Sequence, residues 1–161
     1  MNKEVLKAKT EAVNEIVNKA KANKTMIIVE YRGLTVAQLQ ELRRALRAEN
    51  ASLSVYKNSL VERAVRELGY DDIHALLTGP NAVIFSEDEI KGAKVAAKYA
   101  KRFGATLNIK GGVMEGHFVD QKTLLQLSKL PGKDGLVSMF LSCLQAPIRQ
   151  FACAVQAIAD K

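Results

Sequence analysis

The sequence predicts an α/β fold: a compact globular domain with a small sheet flanked by helices, followed by a projecting C-terminal helix. Three observations carry this reading. Short β-branched runs alternate with amphipathic helical segments through the first 131 residues. Three sequence boxes, Thr35 to Gln38, Ser59 to Glu62 and Ser86 to Glu89, have the form that caps a helix start. Composition then shifts abruptly after Pro131-Gly132-Lys133, because residues 134–161 carry only Asp134, Arg149, Asp160 and Lys161 as charges. The boundaries that follow are a globular domain over 1–131 and a helical segment over 132–161. A chain of 161 residues suits one domain plus an appendage.

Along the chain, Leu6, Val13, Ile16, Val17 and Ala20 recur at helical spacing between Lys3 and Ala22. Lys3, Lys7, Lys9, Lys19 and Lys21 surround them, which gives a first helix with a basic exterior. Met26-Ile27-Ile28-Val29-Glu30-Tyr31 reads as a strand buried on both faces, with a turn at Gly33. Thr35 caps the next helix, and Leu34 and Leu39 take the two positions of a hydrophobic staple. Leu39, Leu42 and Leu46 form its inward stripe, leaving Arg43, Arg44 and Arg47 on a flank. Leu53 to Tyr56 is a second strand. The box at Ser59 opens a helix with Leu60, Ala64, Val65 and Leu68 inward, stopped by Gly69.

Thr78-Gly79-Pro80 marks a loop, Ala82 to Phe85 a buried strand, and the box at Ser86 a helix that Gly104 ends. Thr106–Lys110 and Val113–Val119 read as a ribbon bent at Gly111-Gly112 and punctuated at Gly116, before a helix over about Asp120 to Leu130.

Lys and Arg outnumber Asp and Glu by 24 to 17, a net charge of +7, which favours a polyanionic partner. The excess is uneven: residues 1–70 hold 13 basic and 8 acidic side chains, +5, and the remainder 11 and 9, +2. A strand–helix–strand crossover favours neighbouring parallel strands, which would bring Arg32-Gly33, the arginines of the intervening helix and Lys57-Asn58 near one another. Such a basic rim suits RNA, since guanidinium groups fork onto phosphates, lysine supplies a point charge and asparagine bonds base edges or 2′-hydroxyls. A solvated charged surface is the alternative. The stripe Lys91, Lys94, Lys98, Lys101 occupies one helix face, and its ordinary reading is a solvated face.

Catalytic chemistry finds no support. His74 and His117 are isolated, no phosphate-loop or dinucleotide fingerprint occurs, and no Ser or Cys sits in a nucleophile motif, so we expect no enzyme, no metal site and no cofactor. Gly111-Gly112 lacks the Lys-Ser/Thr and helix start of a phosphate cradle. Cys143 and Cys153 lie among apolar residues without zinc or disulfide spacing. No stretch has the roughly 20 apolar residues that span a bilayer, and the N-terminus lacks a signal-peptide core, so a cytosolic protein without a membrane partner is expected.

In the C-terminal segment Leu136, Met139, Phe140, Cys143 and Leu144 form one apolar stripe, broadened by Val137 and Leu141. Beyond Pro147, read as an interruption, Ile148, Phe151, Val155 and Ile158 form a second. A helix folded back on its own domain and a helix lying in a partner's groove both remain open. Length favours projection: 28 helical residues extend roughly 40 Å, against a radius of gyration of about 14 Å for some 130 residues.

Tyr31-Arg32-Gly33-Leu34-Thr35, Leu42-Arg43, Lys57-Asn58-Ser59-Leu60, Gly79-Pro80 and Leu130-Pro131, in this order and spacing, resemble the bacterial stalk-base family, number ten of the large ribosomal subunit. The resemblance implies a structural constituent of the large subunit. Its globular domain would sit on ribosomal RNA of the GTPase-associated centre, near large-subunit protein eleven. Its C-terminal helix would carry dimers of the acidic stalk protein, which recruit translational GTPases. It further implies dimer-binding modules within the helix, two of them if Pro147 divides it, and in many relatives repression through the protein's own messenger leader. On this reading Arg32, Gly33, Lys57 and Asn58 match the family's RNA-binding pattern, whereas Arg43, Arg44 and Arg63 are added by the surface argument. The stalk-protein contacts would be Leu136, Met139, Phe140, Cys143, Leu144, Ile148, Phe151, Val155 and Ile158. Two alternatives stand beside it: a ribosome-assembly or messenger-binding factor on the same domain, and a small α/β enzyme with unfamiliar catalytic residues.

Overall fold

The computed structural model describes residues 3–159 except 89, and the side chains of 3–6, 8, 71, 72, 75, 105 and 133 lie outside the description. The side chains of Leu6 in the expected first stripe and Lys3 in its basic surround, and Glu89 of the third capping box, fall outside it. The chain divides into two units, one up to Lys129 and one from Leu130.

The first unit is built from α1 (Lys3–Ala22), β1 (Thr25–Glu30), α2 (Val36–Ala48), β2 (Ala51–Ser54), α3 (Asn58–Leu68), β3 (Asn81–Ser86), α4 (Lys91–Phe103), β4 (Asn108–Met114), β5 (His117–Asp120) and α5 (Gln121–Leu127). Short 3-10 turns cover Asp71–Leu76 and Gly104–Thr106. The five strands form one antiparallel sheet in the order β2-β3-β1-β4-β5. The expected neighbouring of β1 and β2 is therefore corrected, because β3 lies between them. Both are antiparallel to β3, so they still run parallel to each other and end at the same sheet edge.

Side chains alternate across the strands with period two, and each face receives its own helical layer. Ile27 and Val29 of β1 with Ala82 and Ile84 of β3 join Leu42, Leu46, Ala93, Ala96 and Leu124 in one core under α2, α4 and α5. Met26 and Ile28 with Val83 and Phe85 join Val13, Ile16, Val61, Ala64, Val65 and Ile73 in the other, under α1 and α3. Burying each large aliphatic side chain contributes about 1.5–3 kcal/mol, which is why the β-branched runs settle between layers.

A β-bulge interrupts the β1–β4 pairing: Ile28 lies opposite Gly111 and Val29 opposite Ile109, leaving Lys110 as the extra residue. The extra residue switches faces, so Ile109 belongs to the first core and Val113 to the second. Gly111-Gly112, expected as a bend, lies inside β4. A Cβ at 112 would run into the Met26 carbonyl oxygen, and one at 111 would come within 2.7 Å of Leu76 Cδ1, so close backbone and side-chain approach is what the pair serves. The turn itself is Glu115-Gly116, both at positive φ, as a tight hairpin requires.

Among the described residues, the first of the three expected capping boxes forms and the second does not. The Thr35 side chain accepts from the Gln38 N–H, and the Gln38 side chain accepts from the Thr35 N–H. Leu34 and Leu39 both pack on the first core, as a staple would place them. The box at Ser59 fails because α3 starts two residues earlier than that cap would set, at Asn58 with Lys57 at the cap, and Glu62 instead meets Arg66 and His74. Ser86 is the buried last residue of β3; its hydroxyl donates to the Asp88 carbonyl, and α4 begins only at Lys91. Gly69, at φ +78, closes α3 as expected.

The second unit contains α6 (Lys133–Ala159), one uninterrupted helix. The expected interruption at Pro147 is corrected: proline cannot donate to the Cys143 carbonyl, yet losing one hydrogen bond does not end a helix of 27 residues.

Candidate functional site

Four segments meet where β1 and β2 end. Glu30 pairs with Asn81 and Asn108, so the starts of β3 and β4 lie at this edge. The Tyr31 N–H donates to the Pro80 carbonyl at 3.3 Å, tying the Tyr31-Arg32-Gly33 turn to the Thr78-Gly79-Pro80 loop. Asn58 Nδ2 donates to the Gly79 carbonyl at 2.8 Å, and Asn58 Oδ1 accepts from Asn81 Nδ2 at 3.5 Å. Gly33 needs its glycine, having φ +91 beside the Thr106 side chain.

The bulge aims Lys110 into this edge. Its ammonium donates to the Thr78 carbonyl and lies 3.3 Å from the Glu30 carboxylate, with only 14% of the side chain exposed. Lys110 is thus committed to holding the loop. Arg32 and Lys57 are exposed, and among the described residues neither meets an acidic side chain. The start of α3 adds unpaired backbone N–H groups, since Lys57 provides no side-chain cap. The edge therefore presents two free cations and backbone donors around a braced loop, a surface fitted to phosphates.

A second brace comes from α1. Lys19 Nζ donates to Tyr56 Oη at 3.0 Å, and Tyr56 Oη donates to Glu15 at 3.2 Å, fixing the residue before Lys57. The hydrogen bond from Lys19, its charge and the Tyr56 hydroxyl hold the Glu15 carboxyl below the usual carboxylate range. Lys19 is raised, chiefly by its hydrogen bond to Glu15.

The edge brings together Arg32, Gly33, Lys57 and Asn58. Arg43 and Arg44 sit on α2 about 10–12 Å along the helix from its start, and Arg63 rides on α3 in the opposite layer. Lys110 and Tyr56 escaped the sequence reading: nothing in a linear pattern announces a bulge, although Gly111-Gly112 directly after Lys110 marks the close approach that accompanies it.

Along α6 none of the large apolar side chains is buried. Phe140 is 64% exposed, Phe151 72% and Ile158 76%. Val137, Leu141, Leu144, Ile148, Phe151, Val155 and Ile158 step by four and three in strict alternation, a heptad seam that passes Pro147 without changing face. Leu136 is half-buried, and Met139, Cys143 and Cys153 are exposed. Among the described residues no cluster of His, Cys, Asp and Glu could hold a metal, and no helix is long and apolar enough to cross a membrane.

Residues 4–101 match the family described as Ribosomal protein L10, and residues 130–161 match the Ribosomal protein uL10 C-terminal region. The large ribosomal subunit protein uL10 of Bacillus licheniformis is 45% identical over 157 residues, 97% of this chain and 94% of its own length. Its namesake in Bacillus cereus is 46% identical over 158 residues, 98% of this chain and 95% of its own. The namesake in Bacillus anthracis has the same identity and coverage.

Proposed function

Because the chain belongs to the Ribosomal protein L10 family and is a structural protein of the large ribosomal subunit rather than an enzyme, we propose that the edge at Arg32 and Lys57 binds large-subunit ribosomal RNA while α6 anchors dimers of the acidic stalk protein. The dimers in turn recruit translational GTPases. The observation that carries this reading is α6: a helix with a continuous apolar seam and no buried large apolar side chain needs a cover, and partner helices laid on the seam supply one.

At the edge, the Arg32 guanidinium forks onto phosphate oxygens and Lys57 supplies a point charge. Asn58 spends its amide on Gly79, and so fixes the loop against which the RNA rests. Large-subunit protein eleven would be a neighbour on the same RNA, and the protein's own messenger leader a second ligand for the same edge. Arg43, Arg44 and Arg63 would contribute long-range attraction more than positioned contacts.

Native mass spectrometry of the full chain reconstituted with the acidic stalk protein tests the α6 assignment. Even copy numbers are expected, two dimers in the simplest case. A chain with Leu144→Glu and Phe151→Glu should bind none, and unchanged binding by that variant would overturn the assignment.

A further inference from the structure

A groove of about 470 Å³ runs along α4, lined by Lys94, Ala97, Lys98, Lys101, Arg102, Ser128 and Lys129. Five of the seven lining residues are cationic and none is acidic. α4 carries five basic residues and no acid. Lys94, Lys98 and Lys101 follow at four and three residues, a spacing at which like charges destabilise a helix. Lys91, one step earlier, is neutralised by Asp88 at 3.0 Å and Glu49 at 3.7 Å. Among the described residues Lys94, Lys98, Lys101 and Lys129 have no acidic partner. Arg102 alone is held, by Glu41 and against the Tyr99 and Phe103 rings, and forms a fixed wall.

The packing of α4 does not call for these lysines, since Ala93, Ala96 and Ala97 make its buried face. A concave surface lined by one sign of charge focuses potential and concentrates counter-ions. Lys94 to Lys101 spans about 10 Å of helix, long enough to face more than one phosphate of a strand. A lone phosphate would leave most of the groove unmatched. Nor is the groove remote from the edge already described: α4 starts at the opposite end of the sheet, after Ser86, and returns toward Thr106, which lies beside Gly33.

We propose that the α4 groove is a second binding surface for the RNA phosphate backbone, tracking the strand away from the Arg32–Lys57 edge. The proposal rests on the RNA reading and extends it to a face that the edge residues do not reach. Affinity there is electrostatic and independent of sequence.

The test titrates the full chain against transcribed large-subunit ribosomal RNA across a salt series. The comparison is with Lys94→Gln/Lys98→Gln/Lys101→Gln/Lys129→Gln, and with the milder Lys98→Gln/Lys101→Gln, whose two positions are exposed and whose fold circular dichroism checks. The quadruple variant should lose at least tenfold in affinity and have a log–log slope shallower by about two to three, at roughly 0.9 or less per phosphate contact. The double variant should lose about half of that slope. Wild-type binding with both variants unchanged in affinity and slope overturns the groove and leaves the edge standing. Absence of binding by the wild type overturns the groove and the RNA reading together. Loss of an acidic protein partner with RNA binding intact overturns it in favour of a protein ligand.

Discussion

Asn58 and Gly79, 21 residues apart in sequence, are joined by a 2.8 Å hydrogen bond from the asparagine amide to the glycine carbonyl. The bond closes the edge at which β1 and β2 end, and it makes the geometry of Lys57 depend on the loop before β3. Asn58→Ala should lower the free energy of unfolding by about 1 kcal/mol, the net worth of one such bond. It should weaken RNA binding without changing the salt slope, because no charge is lost. Denaturant melts and a salt series read the two effects separately, and a shallower slope would show Asn58 to act through charge instead.

Gly112→Ala places a methyl group against the Met26 carbonyl and Ile27 Cα in the middle of the sheet. A loss of about 2–3 kcal/mol is expected from the forced separation of β1 and β4. Gly132→Ala, with nothing within 4 Å, should be near neutral and serves as the control. Equal stability of the two variants would contradict the close approach.

Glu15 supplies a pH test. Its carboxyl is held low by the Lys19 hydrogen bond first, then the Lys19 charge and the Tyr56 hydroxyl. A group depressed in the folded state contributes stability above its ordinary value, and that contribution disappears as pH falls through the folded value. The Glu15 side-chain carbon should therefore titrate below the ordinary glutamate value by NMR. In Lys19→Met it should return toward that ordinary value, and no movement would remove Lys19 as the cause.

Deleting residues 148–161 should remove one stalk dimer from the complex if α6 holds two in series. Native mass spectrometry distinguishes that outcome from loss of both dimers, which the uninterrupted seam past Pro147 would produce if the helix acts as one unit.

The helical layers and buried strands were legible because their signals are local. The continuous apolar run Met26 to Val29, the Thr35 box and the Gly69 stop each depend on a few adjacent residues. What was not legible depends on partners distant in sequence. The insertion of β3 between β1 and β2 is a choice among pairings that the patterns of Met26–Val29 and Ala82–Phe85 leave equal. The Lys110 bulge is set by register against β1. The box at Ser59 failed because an early helix start took that residue first, and strand pairing took Ser86. Arg32, Gly33, Lys57 and Asn58 nonetheless came together, since parallel strands two apart share an end as surely as neighbours do.

The central claim, that RNA lies on the edge between Arg32 and Lys57, is tested most directly by the salt dependence of large-subunit ribosomal RNA binding for Arg32→Ala/Lys57→Ala. Both side chains are exposed and free of acidic partners among the described residues, so the fold should be unaffected. A weaker affinity with a log–log slope shallower by about two, one unit per lost phosphate contact, is the predicted result. An affinity and slope equal to those of the unaltered chain would place the RNA on another face.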